Sequence, residues 1–147
     1  MDFSDSGLKP RAFAIVELED GQTMVVLHPP VVFEQHLKTI SPENLVINEF
    51  TPDQQIEFII LFSEKKEEVK KLLQSIVPCL KGDAVFWLAY PKGTSKKIHC
   101  DFNRDTSWEM CKPYQMLPVR QIAVDDDWSA LRFRKKEYIK NTVRKQQ

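Results

Sequence analysis

Seven consecutive apolar residues, Ala84–Tyr90, constrain the fold of this chain more than any other feature. Because a β-strand turns alternate side chains to opposite faces, a strand that is apolar at every position must be covered on both sides. The segment that follows, Pro91–Lys97, contains a glycine, two hydroxyl residues and three lysines. The pattern predicts a central strand of an α/β sheet, with a polar loop leaving its carboxyl end.

Further apolar segments along the chain alternate with helical patterns. The order is strand, helix, strand, strand, helix, strand and a closing pair of strands. This order indicates a single three-layer Rossmann-like α/β domain. We expect a mostly parallel sheet with antiparallel closing strands and without a glycine-rich cofactor loop. The other predicted strands are Thr23–Leu27, Leu45–Phe50, Ile56–Phe62, Val119–Val124 and Ala130–Arg134.

Helical spacing of apolar residues is clearest between Val69 and Leu80. Ser63 is the predicted N-cap of this helix. Pro78 is expected to loosen its last turn, and Gly82 is expected to end it.

The polar start and the basic end of the chain suggest three parts. Residues 1–11 are predicted to be a flexible N-terminal tail, residues 12–134 the α/β domain, and residues 135–147 a basic C-terminal extension. Within the domain, Asp20-Gly21 lies between the apolar segments Phe13–Leu18 and Thr23–Leu27, and it predicts a β-hairpin.

The charge and cysteine content exclude several classes of protein. Lysine and arginine together number 21, as do aspartate and glutamate, so the formal net charge is zero and a duplex nucleic-acid ligand is disfavoured. The N-terminus carries no secretory signal pattern, and the apolar runs are too short to span a membrane. Three cysteines without a CxxC pair suggest a reducing cytoplasm.

The turn after the first main-sheet strand is His28-Pro29-Pro30. Sites for dinucleotides and S-adenosyl-methionine at this turn use glycines for a positive φ and a close backbone approach. Prolines provide neither a positive φ nor an amide donor. The sequence therefore disfavours methyltransferases, dehydrogenases and P-loop enzymes, and we predict no cofactor.

The loop after the central strand is the best candidate for a binding site, because ligands of open α/β sheets gather at carboxyl ends of strands. Its candidate anion-binding residues are Lys92, Thr94, Ser95 and Arg104. The pocket-edge candidates are Tyr90, Asp101, Asp125 and Trp128. An ordinary solvated turn explains the same composition, and the sequence leaves that alternative open.

Other reactive side chains form no recognisable catalytic or metal site. His99 and Cys100 are adjacent, so extended backbone turns them apart. Asp125-Asp126-Asp127 lacks the spacing of a calcium loop and is typical of a turn. The histidines are scattered, and we predict no catalytic residue and no metal ligand.

Two motifs carry a resemblance to a known family. The segment Phe86–Lys92, with Asp101, Arg104 and Asp105 after it, contains the pattern Trp-x-x-Tyr-Pro-Lys. The segment Val119–Phe133 contains Asp-x-x-Trp-Ser-Ala-Leu. Together they resemble a family of small bacterial proteins catalogued as a domain of unknown function. The resemblance implies a compact α/β domain akin to a methyltransferase core without the cofactor loop, and it implies no particular activity.

The leading hypothesis is a non-enzymatic cytoplasmic binding or regulatory module whose partner is a protein or a small anion. The alternative is a small enzyme that acts on a phosphorylated or carboxylated molecule at the Lys92–Ser95 loop. A third hypothesis is nucleic-acid contact through the basic residues Arg132, Arg134, Lys135 and Lys136.

Overall fold

The structure is a computed structural model, and it describes residues 22–38 and 45–139. Single turns of 3₁₀-helix at Val77–Cys79, Lys112–Tyr114 and Lys136–Tyr138 supplement the main elements. Those elements are, in chain order, β1 (Thr23–Leu27), α1 (Val31–Leu37), β2 (Leu45–Ile47), β3 (Ile56–Phe62), α2 (Lys66–Ile76), β4 (Leu80–Pro91), α3 (Arg104–Cys111), β5 (Met116–Ala123) and β6 (Trp128–Lys135).

The strands form one sheet in the order β2-β1-β3-β4-β6-β5. Neighbouring strands from β2 to β4 pair in parallel. Strand β6 pairs antiparallel with both β4 and β5, so it runs against the other five. The predicted α/β domain with a mostly parallel sheet and antiparallel closing strands is confirmed.

Apolar side chains fill a core on each face of the sheet. The α2 core includes Phe86 and Leu88 of β4 together with Val69 and Leu73 of α2. The α1 core, on the opposite face, includes Trp87 of β4 together with Phe33 of α1. Helix α3 joins the α2 core, so the domain has three layers. The central strand predicted from its two apolar faces is therefore confirmed.

Two predicted ends of the α2 region differ in the structure. Lys65, rather than Ser63, is the N-cap of α2, and the last turn after Ile76 is a 3₁₀ turn that contains Pro78. Gly82 lies inside β4 with φ +54°, where the pairing of β3 and β4 changes register. The glycine thus allows an irregularity within the strand instead of ending the helix, because β4 already begins at Leu80.

Part of the predicted organisation lies outside the described residues. This applies to the tail at 1–11, to the first strand and turn of the predicted hairpin, and to residues 140–147. Lys135, the first residue of the predicted extension, is the last residue of β6. Among the helices of the described ranges, none has the length and apolar character needed to cross a membrane.

Candidate functional site

The carboxyl ends of the parallel strands meet at one edge of the sheet. From β1 the chain passes to β2 on one side and later to β3 on the other, which makes the β1/β3 boundary a topological switch point. Open α/β sheets bind their ligands in the crevice outside such a point. The turns that follow Leu27, Ile47 and Phe62 therefore border the primary candidate site.

The turn after β1 adopts an unusual backbone conformation. His28 has φ +58°, in the left-handed region that glycine normally occupies. Such a conformation costs a residue with a β-carbon about 1 kcal/mol, and it is concentrated at functional sites. A strained histidine thus occupies the position of the turn where a glycine is usual. The prediction from glycine content did not consider that possibility.

The His28 side chain lies beside a carboxylate of α2. Its Nδ1 is 3.9 Å from Glu68 Oε2, and the imidazole is 56 % exposed. The Ser63 hydroxyl donates a hydrogen bond of 2.5 Å to Glu68 Oε1 and is itself buried. The three side chains form a row from the end of β3 to the open edge of the sheet, and we call it the His28–Glu68–Ser63 row.

Two adjoining hollows flank the turn after β1, and both are lined by Pro29. We call them together the switch-point crevice. Their volumes of about 600 Å³ and 560 Å³ are within the range of small-molecule sites. The hollow beside β2 includes Glu34, Lys38, Val46, Ile47, Asn48 and Glu49 in its lining. The hollow beside β3 includes His28, Ser63, Glu64, Lys65, Glu68, Ile98 and Trp128.

The crevice is acidic although the whole chain is neutral. Among the described residues, its lining contains Glu34, Glu49, Glu64 and Glu68, against two lysines, Lys38 and Lys65. Charges in a cleft with apolar walls act more strongly on a ligand than the same charges on an open surface. The lining therefore favours a cationic ligand over an anionic one.

The predicted anion loop forms a separate hollow of about 440 Å³, whose lining includes Tyr90, Lys92 and Ser95. The Ser95 hydroxyl donates to Asp127 at 2.8 Å and accepts from the backbone amides of Lys97 and Ile98. Its hydrogen bonds thus hold the loop together. Thr94 and Arg104 are exposed and lie outside that lining. Anion binding by these four residues stays a prediction.

The predicted pocket-edge residues are divided among different roles. Asp101 accepts a hydrogen bond from the backbone amide of Lys66 at 2.6 Å, at the start of α2. Asp125 accepts from the amides of Asp127 and Trp128, which stabilises the turn between β5 and β6. Trp128, only 6 % exposed, lies in the floor of the switch-point crevice, as part of the hollow beside β3.

Tyr90 is buried against the ring of Phe102, with ring centroids 5.5 Å apart. Burial raises the pKa of its phenol, while the charge of Arg104 acts in the opposite direction. Burial likewise raises the pKa of the Cys100 thiol, which disfavours a nucleophilic thiolate beside His99. In the part of the chain that the structure describes, three or more potential metal ligands do not gather at one place.

Two of the basic residues considered for nucleic-acid contact have partners within the protein. Arg134 donates to both carboxylate oxygens of Asp83, and Lys135 donates to the backbone carbonyl of Leu80 at 3.2 Å. These contacts tie the amino end of β4 to β6. They give both side chains a structural role at the edge of the sheet opposite the crevice.

The sequence analysis missed the residues that line the switch-point crevice, except Trp128. A usable signal was present for Glu49, which follows β2 and stands 20 positions after Pro29. An acidic residue at this distance from the first turn contacts the ribose in Rossmann-type sites. His28 and Glu68 are 40 positions apart, and their proximity depends on the packing of α2 against the sheet.

Comparison with known proteins gives its clearest result at the level of the fold. No family model matches the sequence, and no curated protein matches it. The resemblance to the bacterial family of unknown function therefore stays a prediction.

Several solved structures share the fold over most of the chain. A SAM dependent methyltransferase from Aquifex aeolicus aligns with a TM-score of 0.64 at 10 % identity, over 92 % of this chain and 99 % of the other. The N-methyltransferase NodS from Bradyrhizobium japonicum gives 0.56 at 11 % identity, over 90 % and 96 %. The glycopeptide N-methyltransferase MtfA, complexed with sinefungin, gives 0.53 at 11 % identity, over 89 % and 85 %. At these identities the likeness establishes the fold.

These comparisons correct the functional hypothesis. The three solved structures named above are covered over 85 % or more of their own length and are methyltransferases, so the prediction of a non-enzymatic binding or regulatory module is wrong. The absence of glycines after β1 does not separate this chain from the methyltransferase fold, because His28 provides the left-handed residue of the turn.

Proposed function

We propose that this chain is a methyltransferase that binds S-adenosyl-methionine in the switch-point crevice and methylates a small acceptor. The observation that supports it best is the acidic crevice at the β1/β3 switch point, which the left-handed turn at His28 borders. The shared fold of methyltransferases such as the one from Aquifex aeolicus adds independent support.

The lining residues fit the parts of this cofactor. Glu49 follows β2, where a carboxylate accepts hydrogen bonds from the two ribose hydroxyls. Pro29 and Pro30 offer no backbone donors to the methionine carboxylate, and Lys65, which lines the hollow beside β3, provides a positive charge that can bind it. S-adenosyl-methionine carries a net positive charge, which the acidic lining favours.

The cofactor, when bound, supplies an electrophilic methyl group on a sulfonium sulfur. The protein contributes position and exclusion of water. Pro29, Ile98 and Trp128 provide apolar walls beside the polar groups of the crevice, so an acceptor there meets few competing waters. The carboxylates of the lining stabilise positive charge on the two reactants.

We further propose that the protein works in the cytoplasm. Cys79, Cys100 and Cys111 are all free thiols, which is the usual state in a reducing compartment. Isolation of the protein from fractionated cells is the direct measurement.

The proposed function is tested by calorimetric titration of the purified chain with S-adenosyl-methionine and S-adenosyl-homocysteine. We expect saturable binding of both, and a loss of at least about tenfold in affinity in Glu49→Ala, since one hydrogen-bonded charged group contributes about 1.5–3 kcal/mol. Glu57→Ala is the matched control, because Glu57 is an exposed carboxylate at the opposite edge of the sheet. Absence of binding, or equal affinities in the two variants, would refute the proposal.

A further inference from the structure

The His28–Glu68–Ser63 row has the features of a proton-accepting unit. The imidazole of His28 lines the hollow beside β3, with Nδ1 turned toward Glu68 at 3.9 Å. Glu68 is fixed from its other side by the buried hydroxyl of Ser63. When the imidazole accepts a proton, its positive charge lies beside the carboxylate of Glu68 on α2. The second ring nitrogen remains available to a ligand.

The conformation of His28 is evidence that its imidazole is used. The turn requires a positive φ, which glycine would adopt without strain. A histidine here is less favourable for the backbone, and its side chain is more than half exposed, so core packing does not explain it. An exposed, strained residue at the ligand-binding edge of a sheet points to a functional group.

The charges around His28 indicate which acceptor fits the site. Glu64 and Glu68 lie in the same hollow, with Lys65 as the opposing cation, and Ile98 and Trp128 provide an apolar surface. A small amine on an apolar group is an ammonium ion at neutral pH, so it suits both the carboxylates and the apolar wall. An ammonium nitrogen has no lone pair, and it must lose a proton before it can accept a methyl group.

We propose that the acceptor is an amine and that His28 is the base that deprotonates it, with Glu68 and Ser63 as positioning residues. This inference rests on the proposed function. The ammonium transfers one proton to the imidazole, and the freed nitrogen lone pair forms a bond to the methyl carbon. The carbon–sulfur bond breaks, its electron pair stays on sulfur, and the product is a methylated ammonium ion with a neutral thioether. The imidazolium then releases its proton to water.

The first test measures amine binding without the cofactor. The full chain, labelled with ¹³C-histidine, is titrated with benzylamine, and His28→Gln identifies the His28 signal. We expect a saturable shift of that signal with benzylamine and none with benzoate, which has the same ring and the opposite charge. Equal shifts with the two compounds, or no shift with benzylamine, would overturn the inference.

The positioning role is tested in the same titration with Glu68→Gln. We expect the affinity for benzylamine to fall at least about fivefold, because the variant removes the carboxylate beside His28. Glu67→Gln is the matched control, since Glu67 is a neighbouring carboxylate on α2 that pairs with Lys70 at 3.7 Å. Equal affinities in both variants would contradict a role for Glu68.

The catalytic role is tested by the formation of N-methylbenzylamine from benzylamine and S-adenosyl-methionine. We expect His28→Gln to lower the rate at least about a hundredfold, as removal of a general base does, with cofactor affinity within about twofold of the unaltered chain. His99→Gln is the control. An unaffected rate in His28→Gln, or no product from the unaltered chain, would overturn the inference.

Stability separates a functional histidine from a structural one. We expect His28→Gly to keep or raise the melting temperature, since glycine relieves the strain of the turn. A fall of several degrees would mean that the imidazole supports the fold, which would count against the inference. Failure of cofactor binding with intact amine binding would refute the proposed function, and with it the methyl transfer, but not the amine site at His28. Intact cofactor binding without amine binding would refute this inference alone.

Discussion

Cys111 illustrates how burial fixes the ionisation of a single side chain. Its thiol lies at the end of α3 in the α2 core, with no exposed surface, and burial raises its pKa to about 12 from the ordinary value of 9.0. An unfolded chain ionises this thiol near pH 9, whereas the folded chain keeps it protonated. The unfolded state therefore binds fewer protons between about pH 9 and 12.

From this difference we predict that the free energy of unfolding falls as the pH rises above 9, by up to about 1.4 kcal/mol per pH unit from this group. Urea denaturation at pH 8, 9.5 and 10.5 measures the slope. Cys111→Ala should be less stable at pH 8 and should show a shallower slope, because the titrating group is gone. Identical slopes in the two proteins would contradict the prediction.

For single residues, the sequence predicts which residues belong to the site better than it predicts their backbone conformation or their contacts. Trp128 was expected at a pocket edge and lies in the crevice floor. His28 was not expected, because the rule that left-handed turns take glycine has exceptions that local sequence does not reveal. The role of Asp101 depends on a contact with the first residue of α2, 35 positions away, and sequence spacing carries no signal for that.

The beginning of α2 shows how one element is completed by another. Its N-cap, Lys65, provides no side-chain hydrogen bond, and the amide of Lys66 is bonded by Asp101 from the loop before α3. Helices need such partners because their first amides have no acceptor within the helix. The loop thus performs a function that usually belongs to the residue before the helix.

We predict that Asp101→Ala lowers the free energy of unfolding by about 1 kcal/mol, the usual cost of losing a capping side chain. Glu109→Ala is the control, since it removes an exposed carboxylate from α3 and should change stability by less than about 0.5 kcal/mol. Chemical denaturation measures both. A variant of Asp101 as stable as the control would contradict the capping role.

The existence of the elements was predicted well and their ends less well. Continuous apolar runs located β3 and β4, because both strands are buried on two faces. Gly82 was assigned to a helix end, since a glycine after an amphipathic segment usually has that role. Here the helix ends before Gly82, at the 3₁₀ turn that contains Pro78, and Gly82 provides a positive φ within β4.

The molecule as a whole is organised around β4, which has neighbours on both sides and a core on each face. The backbone amides of Phe86–Tyr90 should therefore exchange with solvent only when the entire domain unfolds. Hydrogen exchange followed by mass spectrometry or NMR gives their opening free energies.

We expect these values to equal the free energy of unfolding from denaturation, and those of the edge strand β2 to be smaller. The short length of β2 and its single neighbour among the described strands explain the difference. Equal protection in β2 and β4 would show that the sheet does not have the predicted centre. Strand order itself had no signal in the sequence, because pairing partners are set by packing across the whole domain.

Under the proposed function, the reversed direction of β6 limits which acceptors fit the crevice. Its entry turn is attached to the loop after β4, through Lys92 N–H to the Asp127 carbonyl at 2.7 Å and Ser95 to the Asp127 carboxylate. Ser95 bonds both Asp127 and the amide of Ile98, so we expect Ile98 and Trp128 to form one fixed wall of the hollow beside β3. A bulkier acceptor would then have to be accommodated on the opposite side of the hollow, at Pro29, Pro30 and the start of α1.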